Sequence, residues 1–306
     1  MRRLDGRVAI VTGAGRGLGR AHALALAAEG ASVVVNDLGS DLHGAGVDAS
    51  PAALVVEEIV AAGGAAVVSL HDVSDWEQAG EMVRLAIDAF GDLHVLVNNA
   101  GILRDRTLAN LPEDDWDAVI RVHLKGHAAP TRHAVGHWRT ESKAGRQADR
   151  SVVMTSSIAG LAGNFGQAAY STAKLGVLAL SQVVNVEAGP YGVRSNVVSP
   201  GARTRIALSA PGAENELAPV GDMDPFDPAN VSPLLVWLAT SGCPARGQVF
   251  HLTGGRLIVS ALPQIEHELV TDGRWTPELL DVELSDRLVE PVPLDVWAGL
   301  SLVQQR

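Results

Sequence analysis

Residues 8–19 read Val-Ala-Ile-Val-Thr-Gly-Ala-Gly-Arg-Gly-Leu-Gly, and this stretch decides the fold we expect. The apolar run Val8–Val11 predicts a buried strand, and the apolar spacing over Leu18–Glu29 predicts a helix. Glycines in a strand-to-helix turn let the backbone approach a pyrophosphate, whose charge the N-terminus of the helix attracts. The glycines alone are equally compatible with a tight turn. Because Asp37 follows the next predicted strand, where a carboxylate can bind ribose hydroxyls, we predict a dinucleotide site.

Outward from this stretch, short runs rich in Val and Ile alternate with longer segments of helical period, which is the pattern of a parallel sheet. We predict strands at Val8–Val11, Ser32–Asn36, Ala66–Leu70, His94–Asn98, Ser151–Thr155, Arg194–Val198 and Gln248–His251. We predict helices at Leu18–Glu29, Pro51–Ala62, Trp76–Phe90, Trp116–Trp138, Ser171–Ala188 and Val231–Ala239. Right-handed crossovers can join such strands. The sequence therefore predicts an α/β domain with a doubly wound, seven-stranded parallel sheet and helices on both faces.

Three predicted loops interrupt this alternation. Leu38 to Ser50 is rich in Gly and Asp, and Arg139 to Arg150 is a polar surface connection. The segment 202–228 follows a strand end, where ligands bind in such sheets, and we predict that it is a substrate lid. Residues 1–255 then form one dinucleotide-binding domain. Residues 256–306 are too few for a core of their own, so we expect a C-terminal extension packed on that domain.

Composition excludes several kinds of partner. The chain has 306 residues, with 24 Lys and Arg against 35 Asp and Glu, and a formal net charge of −11. Nucleic acids and acidic membranes attract basic surfaces, so we expect neither as a partner. The single Cys243 cannot form an intrachain disulfide, and the apolar run Val8–Val11 is too short for a signal peptide. We expect a cytoplasmic protein.

Asp37 and Arg16 favour different dinucleotides, one without and one with a 2′-phosphate. A carboxylate at Asp37 accepts hydrogen bonds from ribose hydroxyls and repels a 2′-phosphate, which favours NAD. A guanidinium at Arg16 can pair with a 2′-phosphate, or with the pyrophosphate or water instead. Repulsion between like charges in a partly buried site costs more than a flexible Arg recovers, so we predict NAD.

Five motifs occur in the order found in the short-chain dehydrogenases/reductases. They are Thr12-Gly-x-x-x-Gly17-x-Gly19, Asp72-Val73, Asn98-Asn99-Ala100-Gly101, Ser157 and Tyr170-x-x-x-Lys174. Over roughly residues 5–255 the chain resembles that family, which implies a single Rossmann domain with oxidoreductase activity. Stretches at 35–39, 98–106, 121–126, 154–167 and 275–278 resemble the (3R)-hydroxyacyl-CoA dehydrogenase part of the peroxisomal multifunctional β-oxidation enzyme and its bacterial relatives.

The resemblance implies a substrate, with alternatives. We expect oxidation of a (3R)-3-hydroxyacyl-CoA thioester to the 3-oxoacyl-CoA. A dehydrogenase of a steroid or sterol-derived hydroxyl would keep the same catalytic residues and change only the lid. A catalytically silent nucleotide-binding protein would lack a complete set of catalytic side chains. Relatives are commonly dimers or tetramers, so we expect a homodimer or homotetramer.

The chemistry of Tyr170 and Lys174 follows from their spacing. Four residues apart on a helix, they share one face, where an ammonium favours the phenolate. Tyr170 is then the general acid/base. Bringing its pKa from about 10 to about 7 requires ~4 kcal/mol, which Lys174 and an oxidised nicotinamide can supply together. Ser157 would hydrogen-bond the substrate oxygen, and Lys174 would also hold the nicotinamide ribose. The alternative is a core tyrosine and a solvated lysine.

The resemblance also assigns cofactor contacts. Asp72 and Val73 meet the adenine, Asn98 lies on the path between adenosine and nicotinamide, and Pro200 and Thr204 cover the nicotinamide. Thr204 stands one position away from the usual family pattern. The full predicted cofactor set is Gly13, Arg16, Gly17, Leu18, Gly19, Asp37, Asp72, Val73, Asn99, Ala100, Gly101, Tyr170, Lys174, Pro200 and Thr204.

His123 stands where many relatives have an Asn that holds a water in the proton relay. An imidazole also exchanges protons near neutrality, so His123 is a candidate relay residue; a packed helix residue is the equal alternative. His133 and His137 share a helix face but have no third ligand at a motif spacing, so we predict no metal. The rim residues Arg104, Arg106, Arg203 and Arg205 are candidates to meet CoA phosphates, or ordinary solvated charges.

Overall fold

The computed structural model describes residues 2–209, 212–219, 224–260 and 268–284. Within these residues, eight strands form one sheet in the order β3-β2-β1-β4-β5-β6-β7-β8. The strands are β1 (Val8–Thr12), β2 (Ser32–Asn36), β3 (Ala65–Ser69), β4 (Val95–Asn98), β5 (Arg150–Thr155), β6 (Val193–Gly201), β7 (Val249–Thr253) and β8 (Arg256–Ser260). All seven predicted strands are present and pair in parallel.

The eighth strand corrects the predicted count. β8 pairs antiparallel with β7 through a two-residue turn at Gly254 and Gly255, and Gly254 has a φ of +54°. The predicted end of the domain at residue 255 therefore falls inside a hairpin. Residues 257 and 259 are largely exposed, as is typical of an edge strand, so periodicity alone does not distinguish β8 from a surface loop. The division into 1–255 and 256–306 stays a prediction.

Helices cover both faces of the sheet. They are α1 (Gly17–Ala28), α2 (Ser50–Ala61), α3 (Trp76–Phe90), α4 (Glu113–Ile120), α5 (Gly126–Lys143), α6 (Ile158–Ala162), α7 (Ala168–Ala188), α8 (Arg205–Leu208), α9 (Ala213–Glu216), α10 (Ser232–Ala239) and α11 (Pro277–Leu284). Short 3₁₀ turns lie at Leu108–Asn110, Gly189–Tyr191 and Pro228–Val231. No helix among the described residues is long and apolar enough to span a membrane.

Two apolar cores enclose the sheet. Alternate residues of β1 point into different cores: Ala9 and Val11 pack with α1, α2 and α10, whereas Val8 and Ile10 pack with α3, α5 and α7. Every residue of β1 is buried, as expected for a parallel strand covered on both faces. Trp138 lies in the second core at 1% exposure, and its Nε1–H donates to the carbonyl oxygen of Leu93 at 2.7 Å.

The predicted helix Trp116–Trp138 is longer and less regular than its periodicity indicated. It begins as α4 at Glu113 and passes through a π-helical turn, Arg121–Lys125, into α5. Three acidic residues occupy the first turn, where the helix dipole favours negative charge. Because α5 continues to Lys143, the predicted connection Arg139 to Arg150 is shorter than expected.

The predicted lid contains two short helices, α8 and α9. Residues 210–211 and 220–223 of the lid lie outside the described residues, as do 261–267 and 285–306 of the predicted C-terminal extension. The lid role and the packing of the extension stay predictions.

Candidate active site

A cavity of about 660 Å³ lies at the carboxyl ends of the parallel strands, where the order of the sheet reverses between β1 and β4. Ligands bind at such switch points in doubly wound sheets. Apart from Asn98, the predicted catalytic and cofactor-binding residues line this one cavity: Gly13, Arg16, Gly17, Leu18, Gly19, Asp37, Asp72, Val73, Asn99, Ala100, Gly101, His123, Ser157, Tyr170, Lys174, Pro200 and Thr204. The structure thus brings together residues from eight separate segments of the chain.

The turn between β1 and α1 has no room for a side chain at Gly13 or Gly19. Gly13 has a φ of +64°, and a Cβ there would lie 2.8 Å from Cα of Ala100. A Cβ on Gly19 would lie 2.1 Å from the carbonyl oxygen of Gly13. No side chain caps the N-terminus of α1, whose first N–H groups therefore face the cavity without an intrahelical acceptor. This cradle fits the pyrophosphate of a dinucleotide.

Thr12 holds the glycine turn against the strand beside it. Its Oγ1 accepts hydrogen bonds from the N–H groups of Asn99 at 2.9 Å and Ala100 at 3.1 Å. In return, Nδ2 of Asn99 donates to the carbonyl oxygens of Thr12 at 3.0 Å and Gly13 at 3.2 Å. Asn99 is thereby a structural tie between the two loops as well as a residue of the cavity wall.

Asp37 stands at the end of β2, as predicted, with its carboxylate beside the glycine turn. Oδ2 accepts the N–H of Gly15 at 2.7 Å and Oδ1 accepts the N–H of Gly39 at 2.6 Å. These bonds fix the carboxylate while leaving further lone pairs for ribose hydroxyls. The donors and acceptors present therefore fit a dinucleotide with its adenosine end at Asp37.

Asp72 and Val73 form the neighbouring wall. Oδ1 of Asp72 accepts hydrogen bonds from the N–H of Ser74 at 2.8 Å and from its hydroxyl at 2.7 Å. The guanidinium of Arg121 lies 3.6 Å from Oδ2 of Asp72. Asp72 thus organises its own turn in addition to facing the cavity.

Ser157, Tyr170 and Lys174 line the same cavity as Asp37. Ser157 caps α6, with Oγ accepting the N–H of Ala159 at 3.2 Å. Tyr170 and Lys174 lie one turn apart on α7, and Nζ of Lys174 is 5.7 Å from the centre of the Tyr170 ring. Lys174 is 2% exposed, and its Nζ donates to the carbonyl oxygen of Thr155 at 2.6 Å.

In the protein without a bound ligand, burial sets the protonation states of Tyr170 and Lys174. It raises the pKa of Tyr170 to about 12, although a hydrogen bond with Ser157 acts in the opposite direction. Burial lowers the pKa of Lys174 to about 7. The phenol is therefore neutral near pH 7 and the ammonium readily loses its proton, so a further positive charge is needed to create the phenolate.

His123 lies against Tyr170, in the π-helical turn. The two rings meet edge to face with centres 5.0 Å apart. His123 is 1% exposed; its Nε2 lies 2.7 Å from the carbonyl oxygen and 3.1 Å from the backbone nitrogen of Ile102, and its buried Nδ1 has no hydrogen-bond partner among the described residues. Burial lowers the pKa of His123 to about 3, so the imidazole is neutral. Gly101 packs under the ring, where a Cβ would lie 2.4 Å from Cε1.

Sequence reasoning assigned no role to a polar chain in the cavity wall that runs through Asn164, Gln167 and Asp105. Nδ2 of Asn164 donates to Oε1 of Gln167 at 3.0 Å, and Nε2 of Gln167 donates to Oδ2 of Asp105 at 2.8 Å. All three residues line the cavity. Because Asp105 and Gln167 are 62 residues apart, no local spacing could have paired them.

Several predicted contacts lie elsewhere or are already engaged. Asn98 is buried behind the cavity wall, where its Nδ2 donates to Oγ1 of Thr131 at 2.9 Å. Arg104 pairs with Asp115 at 3.1 Å and lines a second cavity. Arg203 forms an ion pair with Asp224, whereas the exposed Arg205 donates to the carbonyl oxygen of Ser40 at 3.5 Å.

Thr204 of the predicted lid lies over the glycine turn, whereas His133 and His137 are bonded to other parts of the chain. Thr204 caps α8 through its Oγ1, and its Cγ2 would lie 3.6 Å from a Cβ on Gly17, which places it over the glycine turn. His133 and His137 have separate partners: the carbonyl oxygen of Trp76 and Asp92, each at 2.8 Å. Within the described part of the chain, no group of three or more His, Cys, Asp or Glu residues is arranged to hold a metal ion.

Comparisons with known proteins agree with this geometry. A model of the short chain dehydrogenase family matches residues 7–209. The chain is 41% identical over 310 residues to hydroxyacyl-CoA dehydrogenase ChsB1 of Mycobacterium tuberculosis, a match covering 99% of this chain and 95% of that protein. It is 43% identical over 254 residues to peroxisomal multifunctional enzyme type 2 of Mus musculus, covering 83% of this chain but 32% of the mouse enzyme. The chain thus spans about a third of that relative's length.

A solved structure is similar along almost the whole chain. The crystal structure of a short chain dehydrogenase from Mycobacterium avium superposes with a TM-score of 0.83 at 46% identity, covering 95% of this chain and 98% of that one.

Proposed function

Because the chain belongs to the short-chain dehydrogenase family, we propose that it is an NAD-dependent enzyme that oxidises a (3R)-3-hydroxyacyl-CoA to the 3-oxoacyl-CoA. The observation that carries the proposal is that Ser157, Tyr170 and Lys174 line one cavity with the glycine turn of β1 and α1. A dinucleotide bound on that turn and a substrate hydroxyl beside Tyr170 would therefore be neighbours.

Each catalytic side chain has one task in this proposal. The hydroxyl of Ser157 orients the substrate oxygen, and the phenolate of Tyr170 accepts the hydroxyl proton. The ammonium of Lys174 stabilises the phenolate and holds the nicotinamide ribose. When bound, the oxidised nicotinamide supplies the hydride acceptor and a positive charge. Replacing Tyr170 with Phe should lower turnover by about 10³-fold while retaining NAD affinity; retained turnover would favour a silent nucleotide-binding protein or another base.

His123 is a positioning residue in this proposal, since its ring packs on Tyr170 and its Nε2 is held by the backbone of Ile102. A relay through the neutral imidazole would have to pass through the buried Nδ1. The His123→Asn variant separates the two roles.

The preference for NAD rests on Asp37. Its carboxylate is held by two backbone N–H groups at the position of the ribose hydroxyls and would oppose a 2′-phosphate. Arg16 lies close to Asp48, where the N–H of Ser50 and, more weakly, the charge of Arg16 lower the pKa of that carboxyl. In competitive binding, Asp37→Ser should weaken NAD and strengthen NADP; wild-type preference for NADP would contradict the assignment.

The thioester substrate is supported by the mycobacterial relative, which is named as a hydroxyacyl-CoA dehydrogenase, and by Arg205, whose exposed guanidinium lines the cavity and can pair with a CoA phosphate. The test is incubation with NAD and the two enantiomers of 3-hydroxyacyl-CoA thioesters of increasing chain length, followed by NADH absorbance. We expect signal with the 3R series. No signal at any length would refute the thioester assignment.

The apolar lid favours one second candidate. Ile206, Leu208, Leu217 and Phe226 line the cavity, and such a wall also suits the rigid rings of a steroid. Comparing a bare hydroxysteroid with a steroid carrying a CoA thioester separates the two functions. Oxidation of the bare steroid alone would favour the steroid dehydrogenase.

The proposal includes a homo-oligomeric state and a cytoplasmic location. Leu175, Val183 and Val186 on α7 are 52%, 48% and 77% exposed, an apolar surface that supports a homodimer or homotetramer. Light scattering tests the assembly. The free Cys243 is compatible with a reducing cytoplasm, which fractionation of the cells tests.

A further inference from the structure

His251 places an imidazole in the wall of the main cavity that the proposed reaction does not use. The residue lies on β7 and lines that cavity but not the second one. Among the five residues of β7, it alone is not buried. Its two hydrogen-bond partners, Ser199 and Thr253, are 0% and 3% exposed. The imidazole is therefore the member of this group that a ligand in the cavity can touch.

The alternation of side chains along the strands places His251 on the same side of the sheet as the catalytic pair. Val197 of β6 and Val249 of β7 both pack in the second core, to which α7 contributes. Successive side chains of a strand point to opposite faces, so residues two apart share a face. His251, two residues beyond Val249, therefore faces the side of α7, which carries Tyr170.

The register of the sheet gives the distance from His251 to the catalytic end of β5. His251 lies opposite Ser199 of β6, and Val198 of β6 lies opposite Thr155, where β5 ends. Two strand spacings, or about 10 Å, thus separate the backbone of His251 from the end of β5. Ser157 follows that end by two residues. A ligand atom held by His251 would therefore lie on the order of 10 Å from one held by Ser157.

The wall beside His251 is apolar and belongs to the predicted lid. Ile206, Leu217 and Phe226 line the same cavity. A Cβ on Gly254, directly after β7, would lie 3.1 Å from the carbonyl oxygen of Pro225, so the lid segment lies beside the end of that strand. In largely apolar pockets, a small number of placed polar groups fixes the orientation of the ligand.

The bonds of the two ring nitrogens leave Nε2 able to take a closer partner. Nδ1 lies 3.1 Å from Oγ of Ser199, whereas Nε2 lies 3.4 Å from Oγ1 of Thr253, which is longer than an ordinary hydrogen bond. Burial lowers the pKa of His251, so the imidazole is neutral near pH 7. Because the Ser199 hydroxyl can donate to Nδ1 or accept from it, Nε2 can donate to a ketone oxygen or accept from a hydroxyl.

We propose that Nε2 of His251 hydrogen-bonds a second, uncharged oxygen of the substrate, a hydroxyl or oxo group about 10 Å from the carbon that is oxidised; this inference rests on the proposed function. The enzyme then prefers acyl groups that carry such an oxygen to plain hydrocarbon chains of the same length. A plain chain would remove water from the imidazole without supplying a partner, which costs binding free energy. His251 is thus a specificity determinant for the acyl group.

The experiment uses a series of (3R)-3-hydroxyacyl-CoA substrates of one chain length, each with one further hydroxyl or oxo group at a different carbon. Rates are measured at saturating NAD and compared with the unsubstituted chain. In wild-type enzyme, kcat/KM should peak where the added oxygen lies about 10 Å from C3, at about 3- to 10-fold above the plain chain, the range of a hydrogen bond between neutral groups. The gain should appear in KM. A flat series would overturn the inference, and this result needs no variant to fold.

Two substitutions test the imidazole itself. His251→Phe keeps a flat ring and removes both nitrogens, so the peak in the series should disappear. His251→Gln supplies an amide that can donate or accept near the position of Nε2, so it should retain part of the preference. A merely structural role would lower kcat alike for every member of the series and leave the position and height of the peak unchanged.

His137→Phe is the matched control. His137 is bonded to Asp92 at 2.8 Å and lines neither cavity, so the series should keep its peak. A peak that survives in His251→Phe, or one that is lost equally in His137→Phe, would overturn the inference. Failure of wild-type enzyme to oxidise any member of the series, the plain chain included, would overturn the proposed function itself.

Discussion

Replacing Lys174 with Met should raise the pKa of Tyr170 in the NAD complex by about 2 units. Met keeps much of the length and volume of the side chain and removes the charge. Because a neighbouring positive charge favours the phenolate, its loss disfavours ionisation and moves the pKa upward. The alkaline shift should appear both in the spectrum of the complex and in the pH profile of turnover.

The magnitude follows from the distances in the site. Taking the phenol from a pKa of about 12 to about 8, where it serves as a base, needs about 5 kcal/mol. When Lys174 is protonated, its Nζ, 5.7 Å from the Tyr170 ring centre, supplies about 3 kcal/mol by Coulomb's law at an effective dielectric of about 20, or roughly 2 pKa units. The remaining ~2 kcal/mol would come from the positive charge of a bound oxidised nicotinamide.

The assay is a spectroscopic titration of tyrosinate. The chain has 2 tyrosines, Tyr170 and Tyr191, so a Tyr191→Phe background leaves Tyr170 as the only phenol. In that background, near-ultraviolet difference spectra are recorded against pH at saturating NAD, with and without Lys174→Met. Saturation matters because Lys174 also contacts the ribose in the proposed complex.

Two results would refute this account of the site. One is a shift smaller than about half a unit when Lys174 is replaced, since the charge would then be too well screened to act. The other is a phenol that titrates at its ordinary pKa of about 10 or above in the wild-type complex. The same titration of the Tyr191→Phe protein without NAD should show the alkaline, buried phenol.

Three further predictions concern single residues. Gly13→Ala should destabilise the fold by about 1–3 kcal/mol in urea denaturation and abolish cofactor binding, because its Cβ would press on Ala100 at positive φ. Burial lowers the pKa of His22 to about 3, so below about pH 6.5 the unfolded chain binds a proton at His22 that the folded chain does not. The free energy of unfolding therefore falls by about 1.4 kcal/mol per pH unit below that pH. Between pH 7 and pH 5, the His22→Gln variant should lose about 2 kcal/mol less of its free energy of unfolding than the wild type. His123→Asn should lower the melting temperature but keep the shape of the pH–rate profile; a lost or shifted limb would place the imidazole in the proton path.

Much of the architecture was predictable because its signals are local. The alternation of apolar runs and helical segments placed seven strands correctly to within a few residues. The eighth strand and the true start of α4 were missed, since an exposed edge strand and a helix with a polar first turn both lack apolar periodicity. The glycine turn and the Tyr170–Lys174 pair were predictable because the residues of each lie within a few positions of one another in the sequence.

Side-chain identity and short spacings are properties of the chain, so the amino-acid sequence was enough to identify the chemical groups and the strand ends that carry them. How those groups behave depends on the packing around them. Burial of Tyr170 and Lys174 moves their pKa values in opposite directions, and it depends on elements far apart in sequence. The pairing of Asp105 with Gln167 across 62 residues likewise exists only once α7 packs beside the loop after β4. Desolvation and long-range hydrogen bonding depend on which atoms pack together in three dimensions, so they cannot be predicted from neighbouring residues in the sequence.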